Sequence, residues 1–261
     1  MAELREPAAA NVNTGQGSRL ISRVLPPAVR FWIQSQLDHV EELEFSLDGK
    51  DGQILSGYVP QVRLSAAKAV YTGLHLSQVQ AAAAEIRFNL GQMVRGKPLR
   101  LLQSFPVRGH VCLYAEDLLA SLHSSLLSNG LQDVLLKLVN AHPAIFPEDS
   151  HVRELIADFS RASATTTIFL NPDQLTLTWI PEQPSSEELT LVTGLQVKEG
   201  HLLWLVQPQV WVTPRDGSPA AAPIDLDDFV IDLGQEVDIK TLAVGQDRVE
   251  IEGMVNVIPG D

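Results

Sequence analysis

The chain has 261 residues, of which 45% are hydrophobic, and its 19 basic and 32 acidic side chains give a formal net charge of -13. An acidic average argues against general nucleic-acid binding, because neutralising phosphates requires a basic face. Cys112 is the only cysteine, which excludes an internal disulfide and a cysteine-based zinc site. At this length we expect one domain over residues 18–261, after a flexible tail over residues 1–17.

The charge is unevenly distributed along the chain. Up to Ala115 there are 12 basic and 9 acidic residues, whereas the remainder has 7 basic and 23 acidic residues. An anionic partner is therefore expected to meet the first part of the chain. The acidic second part, including Asp225–Asp238, is an alternative surface for a basic protein partner.

The N-terminal sequence lacks the basic and apolar regions of a secretory signal. No apolar run approaches the roughly 18–20 residues that a spanning helix needs. We therefore expect a cytoplasmic protein, with any membrane contact peripheral and on the cytoplasmic side.

Apolar residues at helical spacing predict an amphipathic helix over residues 18–37, interrupted at Pro26 and Pro27. Phe31 and Trp32 lie on this basic helix. They suit either a lipid interface or packing against a sheet, and the sequence favours neither.

Alternating apolar and polar residues predict strands over Val40–Leu47 and Ile54–Ser65, joined by a hairpin turn at Asp48–Gly52. The next strand pattern changes its inward register twice between Ser77 and Glu85. That change predicts bulges or sharp bends and a strongly curved strand.

The middle of the chain is predicted to be helical. Glu116–Leu127 begins with acids that the helix dipole favours, and Ser128–Gly130 is its predicted stop. A second helix is expected over Leu131–Asn140, followed by a loop over Pro143–Ser150. The last third is predicted to be β structure, with strands over residues 175–179, 189–197, 202–212 and 249–257.

No catalytic or metal-binding constellation emerges. Gly91–Lys97 matches most of a phosphate-binding loop, but Pro98 replaces the Ser or Thr that would hold magnesium. The histidines lack metal-ligand spacing, no Gly-x-Ser-x-Gly elbow occurs, and the acidic residues over Asp225–Asp232 lack calcium-loop spacing. We therefore predict a protein that is not an enzyme and has no cofactor and no metal site.

Basic residues concentrate instead in the segment after Glu85, which is free of acidic residues up to Ala115. Cations interleaved with apolar residues suit a membrane-facing loop, although a solvated turn with buried leucines remains the alternative. Each Lys or Arg near an anionic leaflet contributes about 1 kcal/mol, enough in combination for reversible docking. The predicted lipid or membrane contacts are Arg95, Lys97, Arg100, Met93, Leu99, Phe31 and Trp32.

Three segments carry a family resemblance: Gln53-Ile-Leu-Ser-Gly-Tyr-Val-Pro60, Ala69-Val-Tyr-Thr-Gly-Leu-His-Leu-Ser77 and Arg95-Gly-Lys-Pro-Leu-Arg-Leu-Leu102. With them, the chain resembles the LmeA-like family of bacterial phospholipid-binding proteins, in the branch from photosynthetic bacteria that lacks a signal sequence. The resemblance covers roughly residues 18–125. It implies an α+β fold in which a long, curved antiparallel sheet wraps around helices, and it implies phospholipid as the ligand. It supplies no catalytic residues.

These observations predict an apolar groove in the curved sheet, closed by helices around Leu118–Leu138. The groove would bind phospholipid, and would serve lipid transfer or membrane-lipid homeostasis. The alternative is a non-enzymatic scaffold that uses its acidic C-terminal part.

Overall fold

The computed structural model describes residues 30–259 except 32, 94, 98–99, 149, 151, 154–155, 157–164, 181–186, 217 and 219–221. The predicted tail, the predicted helix before residue 30, Trp32 and Leu99 lie outside the described residues. The side chain of Met93 lies outside them as well.

The larger antiparallel sheet, sheet I, is built from both ends of the described chain. Its strands are β1 (His39–Asp48), β2 (Tyr58–Tyr71), β3 (Leu74–Arg87), β4 (Phe105–Tyr114), β11 (Val237–Val244) and β12 (Arg248–Val257). They pair in the order β1-β2-β3-β4-β12-β11. The predicted α+β fold with a long, curved antiparallel sheet is confirmed.

The second antiparallel sheet, sheet II, lies between β4 and β11 in sequence. Its strands are β5 (Thr165–Asn171), β6 (Gln174–Ile180), β7 (Glu188–Lys198), β8 (Leu202–Thr213), β9 (Ile224–Asp225) and β10 (Phe229–Asp232). The order is β10-β8-β7-β6-β5, and the short β9 also pairs with β8. The predicted strands of the last third fall within β6, β7, β8 and β12.

Four helices with defined bounds occur among the described residues: α1 (Asp51–Leu55), α2 (Leu90–Met93), α3 (Ala115–Ser121) and α4 (Ser125–Ala141). The α4 helix buries one apolar face against sheet II, where Leu138 and Trp179 are each almost fully enclosed. This packing forms the largest core of the described residues. Among those residues, no helix combines the length and apolarity that crossing a membrane requires.

The edge strand β11 joins the two sheets. The Ile239 N–H donates to the Gly200 carbonyl at 2.6 Å, and the Asp173 N–H donates to the Val244 carbonyl at 2.9 Å. A buried cluster that includes Leu170 of β5 and Val249 of β12 reinforces the joint. Sheet II is thus attached along one edge of sheet I.

The connection from β1 to β2 differs from the predicted hairpin turn at Asp48–Gly52. Residues Asp51–Leu55 form α1, and β2 begins only at Tyr58. The side chain of Gln53 accepts the Lys50 N–H at 3.0 Å, which stabilises the start of the helix. Ile54, predicted to begin a strand, is instead the buried residue of this helix.

The helix break also differs from prediction, because α3 ends at Ser121 and α4 runs through the predicted stop at Ser128–Gly130. Ser124 is the N-cap of α4, and its hydroxyl accepts the Leu127 N–H at 3.1 Å. Gly130 lies inside α4 and does not end it, and a β-carbon added at this glycine would meet nothing within 4 Å. The serine cap therefore decided where the helix begins.

The curvature of β3 arises without the predicted bulges. β3 pairs with both β2 and β4 without a register shift. A bend is present at Glu85, whose φ of 57° is left-handed. Of the two predicted alternatives, bulges or sharp bends, the pairing of β3 shows no bulge and the left-handed backbone at Glu85 corresponds to a bend.

Candidate functional site

One face of sheet I is apolar across most of its width. Residues directly opposite each other in antiparallel strands project to the same face. Leu64 pairs with Phe45 and Ala81, and the row continues through Gly109 to Gly253. The rows on either side on this face are also apolar: Val62-Ala83-Val107-Val255 and Ala66-Val79-Val111-Ile251.

The centre of this face forms a feature that we call the apolar strip. It consists of Val62, Leu64, Val79, Ala81, Ala83, Val107, Gly109 and Val111, all of them half-buried. Ala81 and Gly109 are small, whereas Val79 and Val107 stand beside them in the neighbouring rows. The strip therefore has a shallow floor between larger side chains.

The glycine at the end of that floor is required by the backbone. A β-carbon on Gly253 would lie 2.7 Å from the Asp238 carbonyl oxygen and 2.9 Å from the Ile239 Cα. β11 carries an irregularity here, between Ile239 and Thr241. Close approach of β11 thus explains this small residue.

Buried clusters border the apolar strip on two sides. On one side, Ile33 from the helical residues 33–35 packs with Leu43 and Ala66. On the other side, Leu118 of α3 packs with Val249. The helix α3 therefore reaches sheet I, while α4, the other helix expected to close the groove, packs into the core of sheet II.

A cavity of about 1160 Å³ lies against the opposite, more polar face of sheet I, and its lining also includes the central row Phe45, Leu64, Ala81, Gly109 and Gly253. Two complete rows of this face line it: Glu44-Ser65-Gln80-His110-Glu252 and Ser46-Arg63-Ala82-Arg108-Met254. Arg63 forms an ion pair with Asp48, at 3.2 Å between Nη1 and Oδ2, and its Nη2 donates a hydrogen bond to Gln61 Oε1 at 3.1 Å. The cavity has mixed polarity, so the two faces of one sheet offer different chemistry.

The basic segment between β3 and β4 is firmly anchored. Asn89 is 6% exposed; its backbone N–H donates to the Arg100 carbonyl at 3.1 Å, and its Oδ1 accepts the Arg100 N–H at 2.7 Å. The Leu102 N–H donates to the Arg87 carbonyl at 2.8 Å. Arg95, Lys97 and Arg100 are exposed.

The structure does not bring the two predicted groups of membrane contacts together. Phe31 is 73% exposed and lies close in sequence to Ile33, which packs beside Leu64. Ala81, the β3 partner of Leu64, is seven residues from Phe88. Seven residues of extended chain span at most about 23 Å, and β3 bends within them at Glu85, so the two groups lie at different positions along β3.

The acidic residues of the last third take part in local hydrogen bonds. Asp228 accepts the Gln207 N–H at 2.8 Å, Asp225 accepts the Gln209 side chain at 2.6 Å, and Asp232 accepts the Gly234 N–H at 2.8 Å. Among the described residues, no three His, Cys, Asp or Glu side chains group as metal ligands would. Asp225 and Asp228 thus bond to residues of β8, and Asp232 stabilises the turn at Gly234.

Comparison with known proteins identifies the family of the chain. A search of curated proteins and a search of solved structures each gave no match. The family described as LmeA-like phospholipid-binding matches residues 17–254, nearly the whole chain and well beyond the segments that carry the resemblance. The chain belongs to the LmeA-like phospholipid-binding family.

Proposed function

We propose that this protein binds a phospholipid with its acyl chains against the apolar strip of sheet I. The observation that carries the proposal is the continuous apolar face, in which Val62, Val79, Val107 and Val111 belong to none of the buried clusters of the described residues. Membership of a phospholipid-binding family supports the choice of ligand.

The energetics favour the apolar strip over surface charge as the source of affinity. Each acyl methylene removed from water contributes about 0.8 kcal/mol, so covering most of one chain supplies more than a few salt-screened cations can. The half-buried valines also gain, because the lipid covers the part of their surface that water now contacts. The small floor at Ala81 and Gly109 admits a chain close to the backbone.

In this proposal the protein contacts a membrane peripherally and acts by binding, without catalysis. The cluster of buried residues shared by β5 and β12 supports a single domain over residues 18–261. Asp225, Asp228 and Asp232 already accept hydrogen bonds from other residues of the last third, whereas the apolar face and the family both favour a lipid over a basic protein as the partner.

The test is a substitution that places a larger side chain on the floor of the apolar strip. Ala81→Leu adds bulk on the apolar face, whereas Ala84→Leu adds the same bulk three residues later at an exposed position on the polar face. Lipid bound to each purified protein is counted by native mass spectrometry and identified after extraction. We expect wild type and Ala84→Leu to carry phospholipid and Ala81→Leu to carry much less.

Thermal unfolding of both variants checks that the sheet is intact. Val107→Ser, which removes apolar surface without adding bulk, should also lower lipid occupancy. Full occupancy in folded Ala81→Leu and Val107→Ser would remove the apolar strip from the mechanism. A wild-type protein that stays free of lipid after incubation with phospholipid vesicles would defeat the proposal as a whole.

A further inference from the structure

Three connections meet at one end of sheet I, which we call the loop end. β1 ends at Asp48 and β3 ends at Arg87, while β2 begins at Tyr58 and β4 begins at Phe105. Tyr58 pairs with Arg87, and Phe105 pairs with Val257 at the end of β12. The loop end therefore comprises α1, the described residues of the connection 88–104, and Ile258 and Pro259 after β12.

Each of these connections presents a large apolar side chain to solvent. Leu55 of α1 is 46% exposed, Leu102 is 61% exposed, and Ile258 after β12 is 57% exposed. β2 and β4 are two strands apart, and β12 is the next strand, so the three connections lie within about 15 Å across the sheet. Three exposed apolar side chains at one end of the sheet, with basic residues in the same connections, make this end a candidate interaction surface.

The loop end also carries basic residues, most of them in the connection between β3 and β4. Residues 88–104 contain Arg95, Lys97 and Arg100 and no acidic residue. Arg87 lies over the Tyr58 ring, 5.1 Å from its centroid. The carboxylates at this end include Asp48, Asp51, Glu85 and Glu236; Asp48 is paired with Arg63 at 3.2 Å, and Glu236 accepts the Asn256 side chain at 3.0 Å.

We propose that the loop end is a membrane-docking surface that inserts Leu55, Leu102 and Ile258 among the lipids of an anionic bilayer. The flanking cations suit anionic headgroups, and the three apolar side chains suit the acyl region beneath them. The firm anchoring of the basic segment through Asn89 holds Leu102 in place before contact. This inference rests on the proposed function, because docking here brings the sheet to its lipid source.

The experiment separates insertion from charge attraction. Leu55→Ser, Leu102→Ser and Ile258→Ser are combined in one protein, and flotation with phosphatidylcholine–phosphatidylglycerol vesicles is measured over rising salt. Salt screens the cations but leaves apolar burial in place. We expect wild type to retain salt-resistant binding and the triple serine variant to bind about tenfold more weakly or worse.

A matched control alters equally exposed apolar residues elsewhere: Leu126→Ser, Ile145→Ser and Phe169→Ser, whose side chains are 53%, 43% and 62% exposed. The control variant should bind vesicles as wild type does. Equal binding by the loop-end variant and wild type at every salt concentration would overturn the inference, as would equal losses in the loop-end and control variants.

Lipid occupancy distinguishes failure of this inference from failure of the proposed function. The folded triple serine variant, loaded with phospholipid before purification, should retain that phospholipid, because its apolar strip is unchanged. If wild type carries lipid and the triple serine variant binds vesicles as strongly as wild type does, docking alone is refuted. If the triple serine variant binds vesicles more weakly than wild type but wild type never retains lipid, the proposed function is refuted and docking stays supported.

Discussion

Ser77 in β3 donates a hydrogen bond to the carboxylate of Asp117 in α3, and the same hydroxyl accepts the Tyr114 N–H at 2.8 Å. Ser77 is 5% exposed, so this contact fixes α3 to sheet I in a protected position. The α3 helix also borders the apolar strip through Leu118. One serine thereby couples the placement of a helix to the shape of the candidate lipid site.

Replacing Ser77 with Ala should therefore destabilise the protein. The substitution removes a donor to a carboxylate and an acceptor for a backbone N–H, which should lower the free energy of unfolding by about 1–3 kcal/mol. Urea denaturation of Ser77→Ala, Asp117→Asn and the double variant measures the effect and the coupling. Ser46→Ala, at an exposed position of β1, is the control. Additive losses would show that the two side chains do not act together.

Two glycines should respond in opposite directions to alanine. Gly57 has a φ of +80°, and an added β-carbon would collide with the Phe88 carbonyl oxygen, so Gly57→Ala should unfold at a lower temperature. Gly130 lies inside α4 with open space around it, so Gly130→Ala should stabilise by roughly 0.5–1 kcal/mol. Calorimetry checks both. A Gly57→Ala protein as stable as wild type would contradict the strained turn at the base of the basic segment.

Charge reversal of the basic segment should weaken binding to anionic vesicles. Combining Arg95→Glu, Lys97→Glu and Arg100→Glu removes attractions of about 1 kcal/mol each, which corresponds to roughly hundredfold weaker binding at low salt. The control makes the same change of net charge at Lys137, Lys198 and Arg215. Vesicle co-sedimentation at low and high salt is the measurement. Similar losses in both variants would assign the effect to net charge, and unchanged binding would exclude the segment.

Stability should fall in alkaline solution because of Cys112. The residue is 4% exposed, and burial raises the pKa of its thiol. Above the ordinary thiol pKa of about 8.5 the unfolded chain releases this proton more readily than the folded chain, so the folded state binds more protons. The stabilisation is therefore complete below that pH and is lost as the pH rises through the folded-state pKa. Urea denaturation across this range should show a smaller alkaline loss in Cys112→Ala, and identical slopes would refute the assignment.

Alternation of apolar and polar residues was enough to predict β1 and the strands at residues 175–179, 189–197, 202–212 and 249–257. It did not reveal β11 (Val237–Val244), in which Val237 and Ile239 alternate with polar residues only briefly, because the irregularity after Ile239 moves the next apolar positions to Leu242 and Val244. It also misplaced the start of α4, because the cap at Ser124 outweighed the apparent stop at Gly130. Local hydrogen bonds and partner strands supply what periodicity lacks.

For the candidate site, too, one part could be predicted from the sequence and another depends on which strands pair. Arg95, Lys97 and Arg100, which the sequence predicts as membrane contacts, are exposed in the connection between two strands. The apolar strip depends on the pairing of Ala81 with Gly109 and of Gly109 with Gly253, residues far apart in the chain and too small to appear as hydrophobic positions. Leu55, Leu102 and Ile258 come to the same end of sheet I only through its strand order.

The pairing of β12 with β4 has a consequence for synthesis of the chain on the ribosome. β4 ends at Tyr114 and its partner begins at Arg248, so the whole of sheet II is made before β4 acquires its second neighbour. Until then the nascent chain exposes an unpaired apolar strand edge, the kind of edge that invites aggregation. Premature termination before residue 248 would leave the edge of β4 permanently unpaired. Such a truncated chain would be a target for chaperones and quality-control proteases.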